Sequence, residues 1–402
     1  MSTLEPPVWL NKAFLESSLR AGYDDTLSIG NYDIKTATAK GDNYTSTMYR
    51  VTVETTGNKT FSVLIKYLLE AGKSGDMLRQ STAHLREATM LSVMLPKMTA
   101  LLQDAMPEKF EPFGPQFFFS REGLLIMEDL SPLGFKMAKR QKGLDLSHCL
   151  LVMRKLGRFH ATSVLIHQQD PDSMANFQTN LFIEHNNGNF SKLFAGLLRN
   201  AADEVETWPE SSQYAGKIRA YAEDIVGCLR RVTARDDSAF NVLNHGDLWV
   251  NNMLFRYSKT GQPESMLFVD YQLCNYASPA LDLQYFMNTS PTDDVRMRHT
   301  DTLLQEYHSA LCDTLTALGY SKKMLTLDDL RAEYDSKVVM GMLHACTLLP
   351  IVLSESDSVF DLDLSLEDGT KQPLFFKGTA FKNCLQRMLP LFEKQGAFRH
   401  LI

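Results

Sequence analysis

The sequence predicts an α+β protein of two unequal lobes: a small N-terminal lobe built on an antiparallel sheet with one key helix, then a larger, mainly helical lobe that carries a β-hairpin. Three observations predict it. A chain of 402 residues exceeds what one hydrophobic core usually organises. Up to residue 130, apolar and β-branched residues alternate with polar ones around turn residues, the period-two pattern of half-buried strands. From Ser131 on, long runs follow helical spacing instead. The division therefore falls between residues 1–130 and residues 131–402.

In the first lobe, YDIKTATAKGDNYTSTMYRVTV, Tyr32 to Val53, alternates on both sides of Gly41-Asp42-Asn43, a hairpin signal. FSVLIKYLL, which contains Lys66, is a further strand, and a turn follows at Gly72 to Gly75. HLREATMLSVMLPKM places Leu85, Met90, Val93 and Met94 at helical spacing, with Pro96 closing the run. FFFSREGLLIMEDL is a strand, a turn at Arg121 to Gly123 and a second strand ending at Glu128-Asp129.

The second lobe opens with DLSHCLLVMRKLGRFHATSVLIH and continues with NFSKLFAGLLRNAADEVETW, YAGKIRAYAEDIVGCLRRVT and DVRMRHTDTLLQEYHSALCDTLTALG, each read as a long amphipathic helix. VVMGMLHACTLLPIVL, Val338 to Leu353, is too short for a membrane span and contains His344, so it reads as a core helix ended by Pro350. The acidic, turn-rich stretch Ser354 to Gly369 reads as a solvated loop. No signal peptide is visible at the start, and the six cysteines have no metal-ligand spacing, which suits reduced thiols in a cytoplasmic protein. A net charge of −7 argues against nucleic acid as the main partner, because phosphate backbones are held by clustered Lys and Arg. No obligate protein partner is evident.

Between apolar runs lies HGDLWVNN, His245 to Asn252, with a histidine, an aspartate and two asparagines in eight positions. Such groups need partners, since a buried unpaired polar group costs about 1–3 kcal/mol. NMLFRY, a Gly-Gln-Pro turn and SMLFVDYQ follow, two apolar segments that form an antiparallel hairpin. If Tyr257 faces Ser265, Asn252 faces Asp270, and Asp247 sits on the loop feeding the hairpin. A carboxylate and an amide oxygen on adjoining strand ends suit Mg²⁺, and Asp247 could accept a proton from an attacking hydroxyl. That is an arrangement for phosphoryl transfer, in which positioning and charge neutralisation dominate. A turn-capping network of the same three residues is the alternative.

HGDLWVNNMLF with FVDYQLCNYASPALDLQYF resembles the catalytic and metal-binding segments of the choline kinase and aminoglycoside phosphotransferase superfamily, and more closely the insect ecdysteroid kinase-like family. GDNYTSTMYRVTV, VLIKYLL, REATMLSVMLP, LLIMEDL and LGRFHATS extend the likeness in order along residues 30–345. The resemblance implies a protein kinase-like two-lobe fold that uses ATP and Mg²⁺. It implies Asp247 as catalytic base, Asn252 and Asp270 as metal ligands, and Lys66 on the ATP phosphates while paired with Glu87. Gly41, Asn43, Thr45 and Ser46 would lie over the phosphates, although that segment could equally be an ordinary turn. Met127, Glu128 and Leu130 would meet adenine at the hinge between lobes. His245 would brace the catalytic loop; Asp282 would buttress it or merely cap its helix; His160 reads as a satisfied core histidine.

Two departures stand out: Tyr271 occupies the place of a usual Phe, and Ala277-Ser278 that of a Gly-Ser pair. No A-P-E segment follows Asp270, which leaves no platform for a peptide acceptor. The implied acceptor is a small hydroxylated molecule, a steroid alcohol such as an ecdysteroid or a xenobiotic. The alternatives are a choline- or ethanolamine-type kinase and a catalytically silent binding protein on the same fold.

Overall fold

The computed structural model describes residues 6–37, 46–68, 81–179, 188–354 and 373–399. Helix α1 (Lys12–Gly22) is capped by Asn11, whose side chain accepts the Phe14 N–H, and it was not foreseen from the sequence. Strands β1 (Ile29–Thr36), β2 (Ser46–Thr55) and β3 (Thr60–Leu68) form a meander. β4 (Phe117–Arg121) and β5 (Leu124–Glu128) complete an antiparallel five-stranded sheet in the order β1-β2-β3-β5-β4. Alternation assigns its two faces. Val63, Ile65, Leu124 and Ile126 pack with α1, whereas Leu125 and Met127 turn to the core shared with the helical lobe. Lys66 pairs with Leu125 across β3 and β5 and so points to that second face.

Between β3 and β4 runs one long helical segment: α2 (Ala83–Thr89), a π-helical turn (Met90–Met94) and α3 (Leu95–Ala105). The helix does not end at Pro96. The ring lacks an N–H to donate, and it sits in the first turn of α3, where no such donor is needed. The π turn also resets the phase, so Met90, Leu91 and Met94 are buried while Leu85 and Val93, expected inside, are exposed.

A short 3₁₀ turn at Ser131–Leu133 leads into strand β6 (Lys136–Met137), which pairs with a strand of the helical lobe. Its central helix is α4 (Leu146–Gln169), capped by Asp145, whose carboxylate accepts the His148 N–H. α5 (Gly188–Glu206) follows. The next predicted helix is two, α6 (Ala215–Glu223) and α7 (Ile225–Thr233), broken at Asp224, which leaves helical geometry at ψ 39°. Small strands β7 (Val242–Asn244), β8 (Met253–Tyr257), β9 (Pro263–Phe268) and β10 (Asn275–Ala277) carry the HGDLWVNN loop and the hairpin.

Then come α8 (Ala280–Thr289), α9 (Asp293–Arg298) and α10 (Thr300–Ala317), the last two split at His299 where one helix was expected. α11 (Leu327–Ser336), α12 (Val338–Thr347), α13 (Leu349–Leu353) and α14 (Thr379–Gln395) finish the lobe. α12 ends before Pro350, which instead opens α13 from its first turn. α4 packs along α10, and its Ser163 hydroxyl accepts the Leu243 N–H, tying β7 to the core. All six cysteines are free, and all but the half-buried Cys312 are buried. The turn at Gly72 to Gly75 and residues 355–369 of the acidic stretch lie outside the described residues.

Candidate active site

Lys66 on β3 reaches across the sheet face to α2. Its Nζ donates to Glu87 Oε2 at 2.7 Å and to Asp270 Oδ1 at 2.8 Å. Lys66 and Glu87 are buried and Asp270 is about a quarter exposed. Burial works against the ammonium, but Asp270 and Glu87 outweigh it and hold its pKa above the ordinary lysine value. Burial pushes the Glu87 carboxyl up to about 7, with Lys66 opposing and Asp270 adding to the push. Asp270 follows β9 at φ +66°, a left-handed conformation that costs a non-glycine residue about 1–2 kcal/mol and that aspartate tolerates better than most.

The HGDLWVNN loop is held from beneath. Asp282, in the first turn of α8, accepts the His245 N–H at 2.6 Å and the Gly246 N–H at 2.9 Å. His160 on α4 donates from Nε2 to the same carboxylate at 3.2 Å, and its Nδ1 accepts from the Tyr307 hydroxyl at 2.8 Å, so His160 is satisfied on both sides. His245 links the loop to the end of β9: its Nε2 donates to the Val269 carbonyl at 3.1 Å and its Nδ1 accepts the Asp247 N–H at 3.3 Å. Burial lowers the pKa of both imidazoles, which suits these neutral tautomers. Gly246 has no substitute, since its φ is +80° and a Cβ would run into the Leu273 carbonyl oxygen.

Asp247 emerges from this frame half-buried. Its Oδ1 accepts from the Tyr285 hydroxyl at 2.6 Å and its Oδ2 from Asn252 Nδ2 at 2.8 Å. Burial first, then the negative charge of Asp270, push its carboxyl up to about 7, against those two hydrogen bonds. A carboxylate poised near neutrality beside a second one can take up a proton at physiological pH.

The hairpin register differs by one residue from the sequence expectation. Arg256, not Tyr257, faces Ser265; at the turn Tyr257 faces Pro263, and the irregularity between Arg256 and Tyr257 leaves Glu264 of β9 as the extra residue. Asn252 consequently lies opposite Val269, whose N–H it accepts at 3.1 Å, and Asp270 falls one position beyond the pair. Both hydrogens of the Asn252 amide are donated to Asp247, one to its main-chain oxygen at 2.9 Å, leaving Asn252 Oδ1 as a ligand atom. Asp270 Oδ1 is taken by Lys66, and among the described residues Oδ2 has a 3.5 Å contact from Gln272. Among the described residues no three His, Cys, Asp or Glu side chains group to hold a metal. One carboxylate and one amide oxygen suit Mg²⁺, which keeps waters and phosphate oxygens for its other positions.

Residues 40–320 match the ecdysteroid kinase-like family. The chain belongs to that family. No curated protein matches it. Solved structures similar to this ecdysteroid kinase-like protein include the choline kinase of Cryptosporidium parvum Iowa II, at 14% identity and a TM-score of 0.48, covering 96% of this chain and 97% of that one. A choline/ethanolamine kinase family protein of Mesorhizobium loti follows at 12% identity and a TM-score of 0.45, covering 96% and 98%. A ternary complex of streptomycin, ATP and APH(2")-IIa has 13% identity and a TM-score of 0.39, covering 83% and 98%.

Elsewhere in this ecdysteroid kinase-like chain, Gly41, Asn43 and Thr45 lie outside the described residues, and Ser46 is buried at the start of β2. At the hinge, Met127 is buried, and the N–H groups of Glu128 and Asp129 are spent on the Gln116 and Ser62 carbonyls. Asp129 anchors it: its carboxylate accepts from Arg50 Nε at 2.6 Å, Ser62 at 2.8 Å and the Ser131 N–H at 3.1 Å. Burial would raise its pKa, but these donors, Arg50 foremost, hold it below the ordinary value.

A cavity of about 670 Å³ lies behind the hinge, lined by Glu128 and Leu130 but by none of Lys66, Asp247 and Asp270. Tyr285 and Arg50 were missed in the sequence, and only their distant partners reveal them. Tyr271 is buried, with its hydroxyl on the Phe113 carbonyl at 3.1 Å, so the departure from Phe is satisfied locally. Among the described residues no helix is long and apolar enough to cross a membrane.

Proposed function

We propose that this chain is an ATP-dependent kinase that transfers the γ-phosphoryl group to a hydroxyl of a small lipophilic alcohol, a steroid alcohol or a hydroxylated xenobiotic. The carrying observation is the division of labour around Asp270: Lys66, itself held by Glu87, binds one of its oxygens, while Asp247, raised toward neutrality, is oriented by Tyr285 and Asn252. Family membership supports the same reading.

In this reading Lys66, fixed by Glu87, contacts the α- and β-phosphates, and Asn252 Oδ1 and Asp270 Oδ2 hold Mg²⁺. The ion, when bound, neutralises charge on the phosphates. Asp247 accepts the proton of the acceptor hydroxyl as that oxygen bonds to the γ-phosphorus and the bond from that phosphorus to the β–γ bridging oxygen breaks, releasing ADP, and Tyr285 keeps the carboxylate turned to receive the proton. Gly41, Asn43, Thr45 and Ser46 cover the phosphates, and the hinge backbone at Met127 to Leu130 meets adenine. The lobe boundary falls at residue 130, and the free thiols suit a cytoplasmic enzyme.

Radiolabelled ATP and Mg²⁺ offered with ecdysteroids, sterols, plant phenolics and choline in parallel tests the reading. The expected result is a labelled phosphate ester of a lipophilic alcohol with the wild type and none with Asp247→Ala. Labelled phosphocholine alone would make it a choline kinase. No labelled product, with ligand binding unchanged in Asp247→Ala, would make it a binding protein.

A further inference from the structure

The cavity behind the hinge joins the two arms of the active site from the rear. One wall is the helical segment that carries Glu87, contributing Leu91 from the π turn and Leu95 from α3. The opposite wall is the loop Phe110 to Phe117, with Leu267 of β9 as the floor.

That loop is clamped to the metal-binding segment. The Phe113 carbonyl accepts both the Phe268 N–H, at 2.8 Å, and the Tyr271 hydroxyl, at 3.1 Å, on either side of Asp270. At Gly114 a Cβ would lie 3.0 Å from the Phe268 oxygen and 3.1 Å from the Tyr271 ring, so loop and segment have no slack between them. Lys155, buried on α4, fixes the loop from below through the Pro112 carbonyl at 2.9 Å. Whatever fills the cavity therefore bears on Glu87 through one wall and on Asp270 through the other.

The lining also selects an occupant. Its volume falls in the range of small-molecule sites. Most of its surface is leucine, proline and phenylalanine, and every charged side chain on it already has a partner: Glu111 pairs with Lys155 at 2.8 Å, Glu128 accepts the Gln116 N–H at 3.2 Å, and Arg256 lies over the Phe135 ring at 5.2 Å. That lining favours an occupant that is mostly apolar. Hydroxyls of Ser92, Thr99 and Ser265 lie within the lining as well.

We propose that this rear cavity, which backs onto Glu128 and Leu130 of the hinge but reaches none of Lys66, Asp247 and Asp270, is a second binding site for a lipophilic molecule whose occupancy stiffens the Glu87 helix and the Asp270 segment together. The proposal goes beyond the kinase reading and does not need it.

Equilibrium dialysis with tritiated progesterone, a steroid with no hydroxyl to phosphorylate, tests it in the presence of saturating ADP and Mg²⁺. The expected result is saturable binding that is kept in Asp247→Asn and weakened at least tenfold by Thr99→Trp, which fills the cavity; Leu133→Trp, from the hinge side, is the second such variant. Hydrogen–deuterium exchange should slow in residues 91–99 and 110–117, which line the cavity, and also in residues 83–89 and 268–273, which do not. Absence of binding, displacement by ADP, or binding undiminished in both tryptophan variants would overturn the proposal. Slowing confined to the cavity walls would leave a site without coupling and overturn its regulatory half.

Discussion

Asp282 and Asp247 are drawn into the same polar loop and treated in opposite ways. Asp282 is almost wholly buried, yet two main-chain N–H groups and a histidine converge on it. Main-chain donors cannot turn away, and charge-assisted bonds to them are strong. Asp247 has only two side-chain donors and faces the charge of Asp270. The difference separates a carboxylate that is buried and fully satisfied, as one that holds a loop in shape should be, from one that is half-buried with fewer donors, as a proton acceptor would need to be.

The comparison breaks or sharpens under substitution. The largest effect is expected from Asp247→Asn, which should lower kcat by about 10²–10⁴ while leaving the KM for ATP near its wild-type value, because only the proton acceptor is lost. Melting curves at pH 8 should show the same variant more stable than the wild type. The sign follows from the raised pKa: the carboxyl favours the folded state below about pH 4 and that contribution is lost as pH rises through about 7, up to about 4 kcal/mol before solvent screening. A less stable Asp247→Asn protein would mean the carboxylate is structural after all.

Asp282→Asn should behave in reverse. It sets an amide against a main-chain N–H, and the broken network should cost about 2–3 kcal/mol, read as a lower denaturation midpoint. Activity would fall only in step with the loop's order. Next in size is the pH dependence of the wild type: kcat/KM should rise with pH to a plateau, with its midpoint at or below about 7, and raising Mg²⁺ should move the midpoint down as the charge of Asp270 is offset. A midpoint that ignores Mg²⁺ would separate the two carboxylates. The smallest effect is expected from Tyr271→Phe, a loss of about 1 kcal/mol with turnover kept, since the Phe113 carbonyl retains the Phe268 N–H.

Much of this was legible in the sequence. The meander, the strand pair around Gly123 and the hairpin after HGDLWVNN all announce themselves by alternation and turn residues, because a strand with one buried face leaves a period-two trace. Lys66, Glu87, Asp247, Asn252 and Asp270 were marked by order and spacing. The register of the hairpin was not, because the turn sets Tyr257 opposite Pro263 rather than Ser265 and an irregularity then adds one residue on β9, and neither leaves a mark in composition. Pro96 misled for a similar reason: a π turn just before it places the proline where a helix can begin.

Local pattern thus decided most of the strands and helices and marked the loop His245 to Asn252 as part of the candidate site. Only the folded molecule decided that Tyr285 orients Asp247, that Asp282 braces the loop, that Arg50 locks the hinge through Asp129, and that a cavity backs onto both Glu87 and Asp270. The physical reason is range. Periodicity and turn chemistry act over a few residues, whereas a hydrogen bond or a field between side chains depends on which distant elements pack together.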